Sequence, residues 1–216
     1  MQIIPVINCD DFQCVKDRLV LINEFTVSAP KMAHIDISDG IYAREPQWND
    51  PHTLKNFITD NNFNFNISVH FMTRKPCIEI TSWFSLIVKA TIPIDCHENI
   101  RGLADFCHEK NILPSLSIPP SCTIEEALKY SDYFNEFQIL AVSPGPAGQQ
   151  MSEGTLAKIK LLRNAMPSAI IEVDGGVNPN TAPSLKTAGA DIILSGSYIF
   201  NSADPRIAYY KLQSVS

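Results

Sequence analysis

The sequence predicts an α/β fold, a single-domain (β/α)8 TIM barrel spanning residues 1–216. Three observations lead there. Eight short runs rich in Ile, Val and Leu recur along the chain, as parallel strands buried on both faces do. Longer mixed segments with helical spacing alternate with them. Eight such units in 216 residues sit near the lower size limit of that barrel. An open doubly wound sheet shares the alternation and is the second architecture, because periodicity alone does not separate the two.

The elements follow in order. "QIIPVIN" (2–8) is the first strand, and "DDFQCVKDRLVLINEF" (10–25) is a helix opened by an aspartate cap. "MAHIDI" (32–37) is the second strand, followed by the helical segment "NDPHTLKNFITD" (49–60). "FNISVHFM" (65–72) is the third strand, and "CIEITSWFSLIVKA" (77–90) reads as a helix. "IPIDCH" (92–97) is then the fourth strand, ending on His97 and Glu98, with "NIRGLADFCHEK" (99–110) helical after it. "LPSLSI" (113–118), "TIEEALKYS" (123–131), "FQILAV" (137–142) and "SEGTLAKIKLLRNAM" (152–166) continue the alternation. "AIIEVD" (169–174) and "DIILSG" (191–196) are the last two strands. Between them "NPNTAPSLKTAGA" (178–190) has Asn and Pro near its start and Gly189 near its end, which is helix punctuation.

Composition narrows the function. Hydrophobic residues make up 45% and charged ones 19%, enough for a large core. The net charge is −6 with no basic run, which argues against nucleic acid or an anionic membrane as partner. No apolar stretch approaches the roughly 20 residues of a membrane span. "MQIIPVINCDD" has no basic flank or cleavage signature, so no signal peptide is expected. Six cysteines at 9, 14, 77, 96, 107 and 122 form no C-x-x-C pair, and are expected as reduced thiols in a cytoplasmic protein. The sequon "NIS" (66–68) falls in a strand-like run and reads as chance.

In a barrel, polar residues at the C-terminal ends of strands line the active site. His34 and Asp36 end the second strand and share a face by alternation; His70 ends the third and Asp174 the seventh. Two imidazoles and two carboxylates suit Zn²⁺, Fe²⁺, Mn²⁺ or Co²⁺ better than Ca²⁺ or Mg²⁺. The alternative is four separate, hydrogen-bonded buried residues, since the ligands come from three strands without a compact motif. Glycine clusters at "SPGPAGQ" (143–149), "VDGGVNP" (173–179) and "SGS" (195–197) follow strands six to eight. Glycine lets backbone N–H groups approach an anion, and barrels commonly hold phosphate at the loops after strands seven and eight. Turn formation is the alternative for any one of them. Trp48 and Trp83 read as packing residues, His52 and His108 as surface residues, and Met72 as core or pocket lining.

Together "HIDISDG", "SVHFM", "CHEN", "SPGPAGQ", "IEVDGGVNPNT" and "AGADIILSGSYIF" resemble the ribulose-phosphate 3-epimerase family, in the same order, from near residue 3 to near residue 200. The resemblance implies a barrel of the ribulose-phosphate-binding type with one catalytic divalent metal. Its ligands carry over onto His34, Asp36, His70 and Asp174, and the two aspartates, Asp36 and Asp174, are implied as the acid–base pair. Phosphate and substrate contacts are implied for Met72, Gly145, Gly148, Gly175, Gly176, Gly196 and Ser197. The implied partners are a ketose phosphate and further copies of the chain, as a dimer or hexamer. Asp39 is expected to orient the turn after the second strand.

Several positions depart from the family pattern. Its first strand reads P-S-I-L-S; here "PVINC" puts Val6 and Asn8 in place. Ser38 and Leu140 replace methionines, and "IYAREPQWN" adds Arg44 and Glu45 after the second strand. Pro146 and Ala147 stand where phenylalanine and glycine are common. These leave the metal and phosphate sets intact and alter the walls around the sugar. D-ribulose 5-phosphate is therefore the first expected substrate, with a hexulose 6-phosphate such as allulose 6-phosphate the alternative. A non-catalytic sugar-phosphate-binding paralogue is a further alternative. A related decarboxylase or aldolase is disfavoured, because its D-x-K-x-x-D pattern needs a lysine between Asp36 and Asp39 and none is present.

Overall fold

Each predicted strand is found, seven of them in place within a residue or two, and the eighth pairs back onto the first. The computed structural model describes residues 1–27, 30–144 and 148–216. In chain order the elements are β1 (Gln2–Ile7), α1 (Phe12–Phe25), β2 (Lys31–Ser38), α2 (Pro51–Asp60), β3 (Phe65–Met72) and α3 (Pro76–Trp83). Then come β4 (Ile87–Pro93), α4 (Ile100–Glu109), β5 (Leu113–Ile118), α5 (Ile124–Leu128), β6 (Glu136–Leu140) and α6 (Thr155–Ala165). β7 (Ile170–Asp174), α7 (Ala182–Ala188), β8 (Ile192–Ser195), α8 (Ser197–Phe200) and α9 (Pro205–Val215) complete the chain. All eight strands are parallel and form a closed barrel, with Gln2 of β1 opposite Ile192 of β8. The open-sheet alternative is excluded.

Local signals explain the helix starts. Asp11, Asp50 and Asp204 each accept a backbone N–H from three residues on, and Pro follows Asp50 and Asp204 directly. Thr123 and Glu126 form a reciprocal capping box at α5. α9 lies beyond the last element read from the sequence and is tied down by Tyr210, whose hydroxyl donates to the Phe25 carbonyl at 2.9 Å.

The fourth strand is a correction. It spans 87–93 rather than 92–97, and the helix before it stops at Trp83. No glycine or proline separates the two elements, and Lys89 gives "LIVKA" the look of a helix with a polar face. Lys89 is buried, however, and pairs across the barrel interior with Glu136 of β6 and Glu172 of β7. His97 and Glu98 consequently lie past the strand end, bonded to Arg74 and to the Cys77 N–H.

A second correction concerns cysteine. Cys9 and Cys14 are joined by a disulfide, and the expectation of six reduced thiols fails for this pair. The turn from β1 into α1 brings their Cα atoms to 5.8 Å, within disulfide reach despite the four residues between them.

Apolar side chains divide into two layers. Outward-facing Ile7, Ile35, Ile37, Val69 and Phe71 pack against Leu19, Ile22, Leu54 and Trp83 from the helices. Burying each such side chain stabilises the fold by about 1.5–3 kcal/mol. Inside the barrel, Ile4, Val6 and Leu194 form a separate apolar wall with Met32 and Ile192. Ser68, Thr91, Ser115, Ser117 and Gln138 are polar and buried on inward-facing strand positions. The barrel interior is therefore part apolar and part polar, and the pocket meets both, with Val6 and Leu194 beside Asp36, His70 and Asp174.

Candidate active site

Strand register assembles the cluster. β2 and β3 pair so that Asp36 lies opposite His70 and His34 opposite Ser68. Alternation turns His34, Asp36 and His70 into the barrel, where all three are buried. Asp36 Oδ1 stands 3.6 Å from His34 Nε2 and 3.6 Å from His70 Nδ1. Donor atoms around a metal with bonds of about 2.1 Å lie roughly 3–3.5 Å apart. These three residues form a group able to hold a metal ion.

The chemistry of the donors fits a cation better than a set of separate hydrogen bonds. His34 Nε2, Asp36 Oδ1 and both ring nitrogens of His70 are buried without a hydrogen-bond partner among the described residues. Orphaned polar atoms at this depth are costly unless something binds them. Ser68 fixes one of them: its hydroxyl donates to the Ala33 carbonyl at 3.4 Å and lies 2.8 Å from His34 Nδ1. Nδ1–H then donates to Ser68, and Nε2 keeps its lone pair toward Asp36.

Asp174 ends β7, opposite Leu140 of β6 and Leu194 of β8. It lines the same pocket as Asp36 and His70 but is not within the tight His34–Asp36–His70 group. Gln138, two residues before Leu140 on the same face, donates to Asp174 Oδ2 at 3.3 Å. Asn8, just past β1, donates to Asp36 Oδ2 at 3.1 Å.

Among the protein groups alone, the two carboxyls are driven apart. Burial raises that of Asp36, but the two imidazoles 3.6 Å away, His34 and His70, outweigh it and hold it well below the usual carboxylate range. Burial, then the charges of Asp36 and Glu172, lift Asp174 well above that range. Environments that push two carboxyls apart in this way suit an acid–base pair, and a cation bound among them would favour the ionised form of both. Burial also lowers His34, which favours the neutral, ligating imidazole.

The glycine-bearing loops expected to take phosphate converge on the same pocket. Gly148, Gly175, Gly176, Gly196, Ser197 and Met72 all line it with Asp36 and Asp174. Gly145, the remaining candidate, lies outside the described residues together with Pro146 and Ala147. At Gly175 (φ 101°) a Cβ would fall 2.6 Å from Val142 Cγ2, and at Gly176 (φ 64°) 2.6 Å from the Met151 backbone N. Only glycine fits either place. Val6, Asn8 and Leu140 are pocket walls, as the departures from the family pattern suggest. Ser38 is not a wall; it is buried and accepts the Gly40 N–H. Arg44, with φ 64°, does not line the pocket. Asp39 does order the turn, accepting from the N–H groups of Ile41, Tyr42 and Arg74. Trp83 is fully buried and Trp48 stacks on Phe12, while His52 and His108 are exposed.

Arg18 and Asn201 line the pocket and Gln138 bonds Asp174, yet the sequence reading singles out none of the three. Gln138 left a trace, a polar residue inside the apolar run "FQILAV". Arg18 left none, because one arginine on an amphipathic helix looks like surface.

The model of the ribulose-phosphate 3-epimerase family matches residues 2–200. The chain belongs to the ribulose-phosphate 3-epimerase family. Several relatives named ribulose-phosphate 3-epimerase agree over most of their length. The protein of that name from Helicobacter pylori is 31% identical over 201 residues, 88% of each chain. That from Aquifex aeolicus is 25% identical and covers 98% of this chain and 95% of its own. A rice relative, the cytoplasmic isoform, is 33% identical over half of this chain. Membership of the ribulose-phosphate 3-epimerase family places the chain among isomerases acting on carbohydrate phosphates. Solved structures show the same barrel: a 3-hexulose-6-phosphate synthase superposes with a TM-score of 0.74 at 16% identity, covering 100% of this chain and 99% of its own. Thiamine phosphate pyrophosphorylase from Pyrococcus furiosus follows with a TM-score of 0.64 at 12% identity. Among the described residues no helix is long and apolar enough to cross a membrane.

Proposed function

We propose that the chain inverts carbon 3 of a ketose phosphate, interconverting D-ribulose 5-phosphate and D-xylulose 5-phosphate. The observation that carries the reading is the buried His34–Asp36–His70 group, with its orphaned nitrogens and oxygen, sharing a pocket with Asp174.

Inversion next to a carbonyl removes a proton from one face of carbon 3 and delivers one to the other. A single base tends to return the proton to the face it left. Two carboxyls reaching in from β2 and β7, with β1 and β8 between them, answer that need. Asp36 takes the proton, and Asp174 gives one from the other side; the roles exchange in the reverse direction. Asn8 holds Asp36 Oδ2 and Gln138 holds Asp174 Oδ2, so each carboxyl keeps its aim. His34, Asp36 and His70, joined by Asp174, would hold one divalent cation of the Zn²⁺, Fe²⁺, Mn²⁺ or Co²⁺ class. When bound, that ion supplies Lewis-acid stabilisation of the negative charge that develops on the substrate oxygens. The loops bearing Gly148, Gly175, Gly176, Gly196 and Ser197 anchor the phosphate, so a non-reacting group positions carbon 3.

Val6 and Leu140 in the pocket wall favour a second substrate, a hexulose 6-phosphate. Copies of the same chain, as a dimer or hexamer, and a cytoplasmic setting complete the reading. Deuterium incorporation at carbon 3 in D₂O tests it, with ribulose 5-phosphate and allulose 6-phosphate in parallel, before and after chelation. Exchange on ribulose 5-phosphate that chelation abolishes is expected. Exchange on the hexulose alone moves the substrate assignment. No exchange on either from metal-loaded protein overturns the reaction and favours a binding-only role.

A further inference from the structure

The pocket has an electrostatic problem that the glycine loops do not solve. Its lining includes two carboxyl side chains, Asp36 and Asp174, in a chain of net charge −6. A sugar phosphate brings roughly −1.5 to −2 more charge at neutral pH. Backbone N–H groups offer dipoles to that charge, and a cation among the carboxyls offsets the carboxyls first. Arg18 is the one Lys or Arg side chain among the described residues lining the pocket. Gly145, Pro146 and Ala147, outside the described residues, bring no charge either.

Arg18 is built to face a ligand. It projects from α1 and is half-buried. Its Nη1 donates to the Asn8 carbonyl at 2.8 Å, and its guanidinium lies over the Phe200 ring with Cζ 4.8 Å from the centroid. The bond and the ring fix the plane of the fork. One donor is used by Asn8, and no other bond of the guanidinium occurs among the described residues. Phe200 is the last residue of α8, whose first residue, Ser197, belongs to the phosphate loop, and Asn201 beyond it lines the pocket. Arg18 thus stands beside the segment that follows β8, and it also feels the charges of Asp36 and Asp10.

We infer that Arg18 is a binding residue for the substrate's phosphate, supplying the full positive charge that the glycine loops lack. The inference rests on the proposed ketose phosphate as ligand, but its test does not require turnover. A guanidinium held ready by Asn8 and Phe200 forms charge-assisted bonds to phosphate oxygens with little ordering left to do. It selects for phosphorylated over neutral ketoses.

Arg18→Gln and Arg18→Lys are compared with the unaltered protein for affinity toward inorganic phosphate by calorimetry, and for KM and kcat on ribulose 5-phosphate. Arg18→Gln is expected to weaken phosphate about 10- to 100-fold and to raise KM in parallel, with kcat changed less, while Arg18→Lys recovers part of the loss. Unchanged phosphate affinity with a fallen kcat overturns the inference, because it assigns Arg18 only to holding Asn8. Should Arg18→Gln fail to fold, phenylglyoxal labelling of the unaltered protein decides. Protection of Arg18 by inorganic phosphate supports the inference, and equal labelling with and without phosphate overturns it. A protein that binds phosphate through Arg18 yet exchanges no proton at carbon 3 overturns the proposed reaction and leaves this inference standing.

Discussion

Asp36 is gripped at both oxygens: Oδ2 accepts from Asn8, and Oδ1 faces two histidine nitrogens. Asp174 accepts from Gln138 at Oδ2 and is also bonded by the Gly175 backbone N–H. Replacing Asp174 with Asn keeps the shape and removes the transferable proton. Carbon 3 exchange is expected to fall about 10²- to 10⁴-fold, read by NMR of the substrate in D₂O. Ser68 touches no ligand atom directly, yet it sets which nitrogen of His34 is free. Ser68→Ala should weaken metal binding by about 10- to 100-fold, measured by competition with a chelator. At this scale the sequence reveals residue types and not partners. His34, Asp36 and His70 are legible because a strand's alternation puts two of them on one face and a histidine strand lies next in order. Asn8 is visible only as an oddity, and that it bonds Asp36 depends on a turn bent around Cys9–Cys14 that no periodicity describes.

Among the elements, the loop after β7 is the least forgiving. Gly176→Ala would place a Cβ against the Met151 backbone at a positive φ. A loss of about 1–3 kcal/mol in urea unfolding is expected, together with a raised KM as the proposed phosphate cradle deforms. Thr123→Ala opens the capping box of α5 and should cost about 1 kcal/mol in the same assay without touching KM. Strand positions were readable wherever a run was apolar and punctuated by Gly, Pro or Asn. β4 was misplaced because its inward face carries Lys89 and its start carries no punctuation. A buried lysine is explicable only by carboxylates from two strands that lie far on in the chain, Glu136 and Glu172. Long-range pairing of that kind has no local signature.

For the whole molecule, that ion triad ties β4, β6 and β7 together through the barrel interior. Lys89→Met would leave two buried carboxyls without their cation and should destabilise the protein by about 3–5 kcal/mol. Replacing all three residues with apolar ones of similar volume should recover most of the loss, which a denaturant series on both variants would reveal. The polar part of the interior, with Ser68, Thr91, Ser115, Ser117 and Gln138 buried beside the triad, has a calorimetric consequence. Exposing apolar surface raises the heat capacity of unfolding, and exposing polar surface lowers it. A barrel filled this way should unfold with a heat-capacity increment below the usual value of about 12–15 cal/mol/K per residue. Its stability curve would then be broad and shallow, and the protein would tolerate cold better than an oil-filled barrel of the same melting temperature.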